Sequence, residues 1–386
     1  MFSVELASLQ RHYAAQSPNN PALIPSPPFP TNHWLTKQNN QQELYNTLVV
    51  NNNYNPSNWH RSFWKRIINQ IEELEQEINH NILNYYISLL SITTTTPTQI
   101  LTYYYGPLEH RTKWSQINLH ENKVTHLITQ QVKHLTDLKL SNQASISQGT
   151  TGLQTWGASV CLANHLILNR HALLHQQRDI TVIELGSGTG LVGILAHQLN
   201  PRNQLWLSDV SPEVLTRLRQ NIHLNGQHNS RVSVQHLDWN QETLRLDPGV
   251  SPLVLGADVI YDPHILPGLV RTIQHFLSSH PAQSVDGVKQ EPQALICSLV
   301  RTTHTWNTFL SICRREDIQI EFLDTRPAIN AARSDADGIL FPQALDPTIA
   351  YTQDNLVLVR LTSSPTTAIG DGAVSPFKEE LVSPVP

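Results

Sequence analysis

Cysteine is scarce in this chain of 386 residues, which contains three, at positions 161, 297 and 313. Three scattered cysteines are too few for a disulfide framework or for a four-thiolate zinc site. Charged side chains are also scarce, at 15% of the residues, against roughly 25% in an average soluble domain. With 26 Lys and Arg against 31 Asp and Glu, the net charge is −5. Such a chain lacks the overall basic charge of a protein that coats DNA or RNA.

Long apolar runs are missing as well. No stretch approaches the roughly 18 consecutive apolar residues that a membrane span requires. Residues 1–17 lack the basic start and the continuous apolar stretch of a secretion signal, and with Glu5 and a single Arg11 they are unlike an organelle transit peptide. We therefore expect a soluble protein of a reducing compartment, located in the cytoplasm.

The length allows two or three domains, and the composition divides the chain unevenly. Residues 17–60 are rich in Pro and Asn, which is typical of an irregular linker. Between residues 59 and 90 apolar side chains recur at helical spacing, which predicts one amphipathic helix with an apolar stripe at Phe63, Ile67, Ile71, Leu74 and Ile78. Residues 1–140 are therefore predicted to form a mostly helical region that serves packing or docking and has no catalytic signature.

Beyond residue 140, short apolar runs alternate with helical ones. Buried strands are predicted at 179–184, 204–209, 232–237, 253–259 and 294–299, and two further strands at 318–323 and 355–361. Helical periodicity occupies 191–199, 212–225 and 265–277. This alternation predicts an α/β domain over residues 141–361, with a parallel sheet and helices on both of its faces. A mobile insertion is predicted at 278–292 and a disordered tail at 362–386.

The strongest local signal is a glycine-rich loop between the first strand and the first helix of this domain. The strand ends in Glu184 and is followed by three alternate glycines and a serine: Gly186, Ser187, Gly188 and Gly190. Glycine permits a positive φ and removes the Cβ that would hold the backbone away from a ligand, and the next helix presents unpaired N–H groups. The loop predicts a cradle for a polar cofactor, although Gly188-x-Gly190-x-x-Gly193 also satisfies a dinucleotide-binding pattern.

Carboxylates at the ends of the neighbouring strands favour S-adenosylmethionine over a nicotinamide dinucleotide. Glu184 can meet the positively charged amino-acid moiety of this cofactor, directly or through water. Asp209 ends the second strand, 19 residues after Gly190, where a carboxylate accepts hydrogen bonds from the ribose hydroxyls of either cofactor class. Asp238 and Trp239 follow the third strand and suit adenosine, because a carboxylate can accept from the adenine amino group and an indole can pack against the ring.

The fourth strand carries the candidate acceptor side. Asp258 and Tyr261 follow its end, and ligands of open α/β sheets bind outside the carboxyl ends of the strands. A carboxylate there can hold an ammonium, and then the amine, in line with the methyl group, while the tyrosine shapes the channel. A lysine must lose its proton before it attacks, since its ordinary pKa is about 10.4. The structural alternative is that Asp258 caps the next segment.

Five motifs occur in order along the chain: SQGTTGLQTWGAS, VIELGSGTGLVGI, LSDVSPEVLTRLRQNIHLNG, VQHLDW and GADVIYDP. Together they resemble the seven-strand protein-lysine methyltransferases of methyltransferase family 16, over about residues 140–361. The GTTGLxTW segment and the helical N-terminal extension are similar to the branch that methylates a lysine of eukaryotic elongation factor 2. The resemblance implies a class I, Rossmann-like seven-strand fold and S-adenosyl-L-methionine as cofactor.

The resemblance also implies roles for individual residues. The cofactor would be contacted by Trp156, Gly186, Ser187, Gly188, Trp239 and Ala257. Asp258-x-x-Tyr261 would be the signature of the substrate side. Composition alone would predict only a turn with a buried tryptophan at 149–158. The sequence departs from the family at Gly157, where an acidic residue is frequent, and in two long inserts at 278–292 and 324–350.

We therefore predict an S-adenosylmethionine-dependent protein-lysine N-methyltransferase that acts on elongation factor 2, is a monomer and binds neither nucleic acid nor a membrane directly. Two alternatives stay open: an NAD(P)-dependent oxidoreductase, and a non-catalytic binding module that keeps the cofactor fold. The 19 histidines show no metal-binding spacing, so no metal site is predicted. Cys161 and Cys313 are predicted to be small core residues, and the run 103–105 of three tyrosines to pack against the catalytic domain.

Overall fold

The computed structural model describes residues 4–16, 30–51, 56–91, 98–106, 115–122, 151–174, 180–241, 252–278, 283–285, 288–328 and 355–363. Several predictions concern residues outside these ranges: the domain boundary at 140, the first two residues of the 149–158 segment, most of the insert at 324–350, residues 17–29 and 52–55 of the linker, and the tail beyond 363. Within the described ranges, no helix combines the length and the apolar character that crossing a membrane requires.

The described parts of the N-terminal region are helical up to residue 90. Its elements are α1 (Val4–Ala14), α2 (Asn32–Leu35), α3 (Gln38–Tyr45), a π-helical turn (Asn46–Val50), α4 (Asn58–Glu73) and α5 (His80–Leu90). The predicted apolar stripe is buried on α4 at Phe63, Ile67 and Ile71. These side chains share one core with Tyr13 of α1, whose hydroxyl accepts a hydrogen bond from the indole of Trp64 at 2.8 Å. The same core contains Leu35, Leu44 and Leu48, so the prediction of an irregular linker is wrong for residues 32–50, which form helices because these apolar side chains are buried against α4. The region therefore has a hydrophobic core of its own.

The single helix predicted over 59–90 is wrong, because the chain breaks between α4 and α5. Glu75 adopts a left-handed φ of 53°, which ends the first helix. Asn79 then caps the second helix, since its side chain accepts a hydrogen bond from the backbone N–H of Asn81. A local capping signal thus overrides an apolar periodicity that continues across the break.

A hairpin of β1 (Thr98–Tyr105) and β2 (Ser115–Asn122) follows these helices. The prediction of a mostly helical region did not identify it, although Leu101, Tyr103 and Tyr105 alternate along β1 as buried positions of a strand do. These three side chains belong to the same hydrophobic core as the helices of the next domain. The predicted packing of the tyrosine run against that domain is confirmed for Tyr103 and Tyr105.

The predicted α/β domain contains the remaining elements. They are α6 (Gly157–Leu168), α7 (Arg170–Leu173), β3 (Thr181–Leu185), α8 (Leu191–Leu199), β4 (Gln204–Asp209), α9 (Pro212–Leu224), β5 (Val232–His236), β6 (Pro252–Ala257), α10 (Leu266–Ser278), β7 (Gln283–Val285), β8 (Val288–Gln290), β9 (Gln293–Leu299), α11 (Thr303–Arg315), β10 (Ile318–Leu323) and β11 (Leu356–Ser363). All seven predicted strands are confirmed to within two residues. The predicted mobile insertion contains the short antiparallel hairpin of β7 and β8.

Seven strands form one sheet in the order β10-β11-β9-β6-β3-β4-β5. Strands β3, β4, β5, β6 and β9 are parallel, and β11 runs antiparallel to both of its neighbours. The chain moves outward from β3 to β4 and β5, and then continues on the other side of β3 with β6. This is the predicted class I, Rossmann-like topology, although the sheet is mixed, so the prediction of a parallel sheet is wrong for β11. Its strand order reverses at β3, so a ligand crevice is expected at the carboxyl ends of β3, β4 and β6.

Helices cover both faces of the sheet. One core lies beneath α6 and α8 and includes the apolar side chains of the β1–β2 hairpin, and the other lies beneath α10 and α11. Cys161 of α6 and Cys313 of α11 are buried and free, which confirms that they are small core residues. The hairpin is therefore part of the same folded unit as the sheet.

Candidate functional site

The glycine-rich loop links the end of β3 to the start of α8. Gly186, Gly188 and Gly190 have left-handed φ values of 61°, 54° and 88°. A Cβ added at Gly188 would lie 3.1 Å from the carbonyl oxygen of Gly152, in a conformation that L side chains rarely adopt. The loop therefore requires glycine for its turn and for its close approach to the segment that precedes α6.

Ser187 and Asp209 fasten this loop to the end of β4. The hydroxyl of Ser187 donates to the carbonyl oxygen of Glu184 at 3.1 Å and accepts the N–H of Ser208 at 3.0 Å. The carboxylate of Asp209 accepts the N–H of Gly188 at 3.2 Å. Burial raises the pKa of Asp209 above its ordinary value, while backbone hydrogen bonds act in the opposite direction. Both predicted residues thus lie at one edge of the sheet, beside the loop.

Glu184 lies beneath the loop. Its side chain is buried, and Oε2 accepts the backbone N–H of Gly193 at 3.1 Å. Burial raises the pKa of Glu184 to about 8. A Cβ at Gly193 would stand 2.6 Å from this oxygen and 2.2 Å from a methyl group of Leu207. Gly193, which the sequence placed only in a dinucleotide pattern, therefore makes room for Glu184, and a contact of Glu184 with the cofactor stays a prediction.

The end of β5 adds a carboxylate and an indole to the same edge. Asp238 accepts the N–H of Asn240 at 2.9 Å. The half-buried ring of Trp239 lies beside the loop, since a Cβ at Gly186 would be 3.5 Å from its Cζ2 atom. The N–H of Leu237 donates to the carbonyl oxygen of Asp209, which ties the ends of β4 and β5 together. The structure thus brings Trp239 to the glycine loop, as adenosine packing would require.

The segment before α6 lies on the other side of the loop. The indole Nε1 of Trp156 donates to the carbonyl oxygen of Thr151 at 3.0 Å, and the ring is half-buried. The hydroxyl groups of Thr155 and Thr189 are 2.8 Å apart, so this segment is hydrogen-bonded to the glycine loop as well as packed against it. Trp156 is accordingly placed at the edge of the predicted cofactor crevice.

Glu121 of β2 supports this arrangement, and sequence reasoning did not identify it. Its carboxylate accepts the N–H of Thr155 at 3.1 Å, the hydroxyl of Thr155 at 2.6 Å and the hydroxyl of Tyr103 at 2.8 Å. Burial raises the pKa of Glu121 above its ordinary value. The available signal was the alternation Ile117, Leu119, Glu121, which puts an acidic residue at a core position of the strand.

The backbone of β2 is paired by two asparagines of α9. Asn225 accepts the N–H of Asn118 at 2.9 Å and donates to its carbonyl oxygen at 2.7 Å. Asn221 accepts the N–H of His120 at 2.7 Å and donates to the carbonyl oxygen of Thr189 in the glycine loop at 2.8 Å. These side-chain amides satisfy polar groups at the edge of the hairpin, so β2 is held in register with the loop.

The acceptor side begins where β6 ends at Ala257. Asp258 has a left-handed φ of 59°, and its N–H donates to the carbonyl oxygen of Cys297 in β9. Its carboxylate accepts two hydrogen bonds from the guanidinium of Arg301, at 2.8 and 2.6 Å, and its side chain is 7% exposed. From the sequence, Asp258 was predicted to bind the ammonium of a lysine or, alternatively, to cap the next segment. Arg301 was not identified as its partner.

Tyr261 stands between the two sides of the site. It is 52% exposed, and its pKa is raised above the ordinary value by burial and by the carboxylates of Asp209, Asp262 and Asp258. Its hydroxyl therefore interacts electrostatically with carboxylates at the ends of β4 and β6. The predicted pair of Asp258 and Tyr261 therefore shares one edge with the predicted cofactor residues, while the contacts of both with ligands stay predictions.

No group of three His, Cys, Asp or Glu side chains that could hold a metal ion occurs in the part of the chain that the structure describes. The polar groups at the crevice are instead carboxylates, hydroxyls, backbone N–H groups and one guanidinium. Such a set can bind hydroxyl and ammonium groups and can align two reactants.

Part of this chain is similar in sequence to known methyltransferases. A family model for lysine methyltransferases matches residues 133–294. The protein-lysine N-methyltransferase EFM3 of Chaetomium thermophilum is 30% identical over 194 residues, which cover 48% of this chain and 54% of that protein. The protein-lysine N-methyltransferase EEF2KMT of Homo sapiens is 33% identical over 190 residues, which cover 46% of this chain and 54% of that protein.

A longer match exists with an uncharacterised protein of Dictyostelium discoideum. It is 28% identical over 273 residues, which cover 64% of this chain and 68% of that protein. The chain spans little more than half the length of the two methyltransferases named above.

Proposed function

We propose that this chain, whose residues 133–294 match the family model for lysine methyltransferases, transfers a methyl group from S-adenosylmethionine to a lysine side chain of a protein. The observation that carries the proposal is the left-handed glycine loop, hydrogen-bonded to Asp209 and flanked by Trp156 and Trp239, at the point where the strand order reverses. Open α/β sheets bind ligands at this point.

The residues present fit this cofactor. A Cβ at Gly186 would meet Val259 at 3.0 Å and the ring of Trp239 at 3.5 Å, so the glycine keeps a narrow cradle free of side chains. In the proposal, Asp209 accepts hydrogen bonds from ribose hydroxyls, Asp238 and Trp239 bind the adenine ring, and Trp156 and Ala257 line the crevice. When bound, S-adenosylmethionine supplies an electrophilic methyl group on a sulfonium.

The acceptor side has to present a neutral amine in line with that methyl group. Tyr261 is exposed enough to line an entrance, and Asp258 is fixed at the carboxyl end of β6. Alignment of two bound reactants and preorganised charge account for most of the catalysis that such a reaction needs. No metal ligand is involved in this scheme, since carboxylates and aromatic rings perform the positioning.

We also propose elongation factor 2 as the protein substrate, a monomeric state and a cytoplasmic location. The substrate is supported by the resemblance of the GTTGLxTW segment to the branch that methylates this factor. The location is supported by three buried, free cysteines, which suit a reducing compartment. The monomer is the simplest state in which one chain supplies every residue of the proposed site.

The test is incubation of the purified chain with labelled S-adenosylmethionine and elongation factor 2 from cells that lack its lysine methylation, followed by peptide mapping. We expect the label on a lysine of elongation factor 2. A label on another protein of a methylation-deficient extract would change the substrate and keep the reaction. A label on RNA or on a small metabolite would contradict protein-lysine methylation.

A second measurement separates the proposal from the oxidoreductase alternative. Calorimetry with S-adenosylhomocysteine and with NADH reports which cofactor the glycine loop accepts. We expect binding of S-adenosylhomocysteine and none of NADH. Binding of NADH alone would contradict the proposed function.

A further inference from the structure

Arg301, just beyond the end of β9, lies between two residues of the candidate site. Its guanidinium donates to both carboxylate oxygens of Asp258, at 2.8 and 2.6 Å, and its Cζ is 5.6 Å from the ring centroid of Trp156. A bidentate bond to a carboxylate fixes the plane of a guanidinium, and an indole face attracts a cation. The positive charge is therefore positioned from two sides, by one residue of each half of the crevice.

The Asp258–Arg301 pair is electrically neutral, and this limits what Asp258 can do. An isolated carboxylate would stabilise the ammonium form of an incoming lysine and so raise its pKa, whereas a nearby cation lowers the pKa of an amine. A guanidinium stays charged throughout the pH range in which proteins are assayed. A lysine that approaches Asp258 therefore meets a fixed positive charge as well as the carboxylate.

Two other titratable groups that face Asp258 stay neutral near pH 8. The pKa of Tyr261 is raised by burial and by the carboxylates of Asp209, Asp262 and Asp258. The pKa of the Cys297 thiol is raised well above its ordinary value by a hydrogen bond with Cys161 and by burial. The fixed charges around an acceptor are then the three carboxylates and Arg301, which is the one cation in direct contact with Asp258 among the described residues.

We propose that Arg301 is a positioning residue for methyl transfer, which neutralises Asp258 and lets the acceptor lysine enter as a neutral amine. This inference rests on the proposed function. The lysine releases one proton to solvent and then uses its nitrogen lone pair to form the N–C bond, while the electron pair of the broken C–S bond stays on sulfur. A neighbouring cation is a known means of keeping a lysine neutral.

The test compares pH profiles of kcat, at saturating protein substrate and cofactor, between about pH 6 and pH 9.5, because kcat reports the ionisation of groups in the enzyme–substrate complex, where the lysine lies beside Asp258. In Arg301→Met the acid limb should move upward by about one pH unit, because the amine has lost its cationic neighbour and faces a bare carboxylate. Its rate near pH 7 should therefore fall about tenfold on this limb. Arg301→Lys keeps the charge, so its acid limb should coincide with that of the unmodified chain.

Asp258→Asn provides a test of opposite sign. It leaves the charge of Arg301 uncompensated, so the acid limb should move downward even though the maximal rate falls. A residue with a merely structural role would not shift the limb in opposite directions in Arg301→Met and Asp258→Asn. Burial raises the pKa of Glu184 to about 8, so this residue also titrates within the pH range of the test. Its effect on the pH profile should be the same in every variant.

The matched control is Arg326→Met. Arg326 also donates two N–H groups to one carboxylate, that of Asp324, but its side chain is 80% exposed. Its profile should coincide with that of the unmodified chain. An acid limb that stays in place in both Arg301→Met and Asp258→Asn would overturn the inference, and if Arg301→Met does not fold, the Asp258→Asn profile alone decides. Absence of lysine methylation by the unmodified chain would instead contradict the proposed function.

Discussion

The two sides of the candidate site hold their carboxylates in different ways. On the cofactor side, each carboxylate accepts backbone N–H groups: Glu184 from Gly193, Asp209 from Gly188 and Ser211, and Asp238 from Asn240. On the acceptor side, Asp258 accepts one long backbone hydrogen bond, from the N–H of Leu299 at 3.4 Å, and its two short bonds come from the side chain of Arg301, 43 residues away along the chain. Backbone donors persist whatever side chain a residue carries, whereas a side-chain partner can be removed by one substitution.

This difference implies that the hydrogen bonds of the cofactor side persist as long as the domain is folded. The charge of the acceptor side, in contrast, can be changed by a substitution at Arg301 without changing the fold. The cofactor side is also anchored outside the sheet, through Glu121 of the β1–β2 hairpin. Tyr261 on the acceptor side is 52% exposed and has no comparable enclosure. Variants on each side should therefore separate effects on stability and cofactor binding from effects on transfer.

The largest expected effect of a single substitution at a fixed pH is loss of the anchor beneath the cofactor side. Glu121→Ala leaves the hydroxyl of Tyr103 and two donors of Thr155 without this buried acceptor, so the free energy of unfolding should fall by about 3 kcal/mol. Urea unfolding of the variant and of the unmodified chain measures this difference in free energy. Glu321→Ala is the matched control, because Glu321 is also a strand glutamate with a partner but its side chain is 59% exposed. The control should lose about 0.5 kcal/mol or less, and equal losses would refute the anchoring role.

The second prediction concerns pH and the carboxylate under the glycine loop. Burial raises the pKa of Glu184 from 4.5 to about 8 in the folded chain, so the folded state keeps a proton that the unfolded state releases. The stabilisation is complete below pH 4.5 and is lost as the pH rises towards 8. The free energy of unfolding should fall by roughly 1 kcal/mol per pH unit in this window. Glu184→Gln should lack this component, and parallel pH curves for the two proteins would contradict it.

The third prediction tests the comparison directly with one substitution on each side. Asp209→Ala should weaken binding of S-adenosylhomocysteine by roughly 2 kcal/mol, since a charged group then no longer accepts hydrogen bonds from the ribose. Asp258→Ala should keep this affinity and lose most methyl transfer. Calorimetry and a transfer assay on both variants measure the two effects. An unchanged affinity in Asp209→Ala would mean that the end of β4 does not bind the ribose, and full transfer in Asp258→Ala would refute its role.

The same division explains what could be predicted from the sequence. Each strand could be predicted from its own apolar run. The glycine loop, Asp209 and Asp238 lie at strand ends, so the alternation of strands and helices was sufficient to predict that they share one edge of the sheet. Arg301 could not be inferred, because its contact with Asp258 depends on β9 being placed beside β6. The contacts of Glu121 depend on the β1–β2 hairpin, which precedes the sheet in the chain, packing into the same core as α6 and α8. Long-range pairing, rather than local pattern, determines these two contacts.

The break between α4 and α5 shows the opposite case, in which a local signal was present but outweighed by a longer pattern. The apolar spacing runs through Leu74 and Ile78, and the cap at Asn79 was hidden among many asparagines of this region. Capping and a left-handed residue decide such a break. Periodicity alone therefore predicted one helix where the chain forms two.

The smallest expected effect separates backbone strain from the cradle itself. Gly188→Ala and Gly226→Ala both place an alanine at a left-handed φ, of 54° and 67°. Each should therefore lose about 1 kcal/mol of unfolding free energy. A Cβ at Gly226 meets nothing within 4 Å, whereas one at Gly188 lies 3.1 Å from the carbonyl oxygen of Gly152. Only Gly188→Ala should weaken binding of S-adenosylhomocysteine, by about 1 kcal/mol or fivefold. Equal affinities in the two variants would place the cofactor away from this loop, and would remove the contrast between a side held by backbone donors and a side held mainly by the ion pair of Asp258 and Arg301.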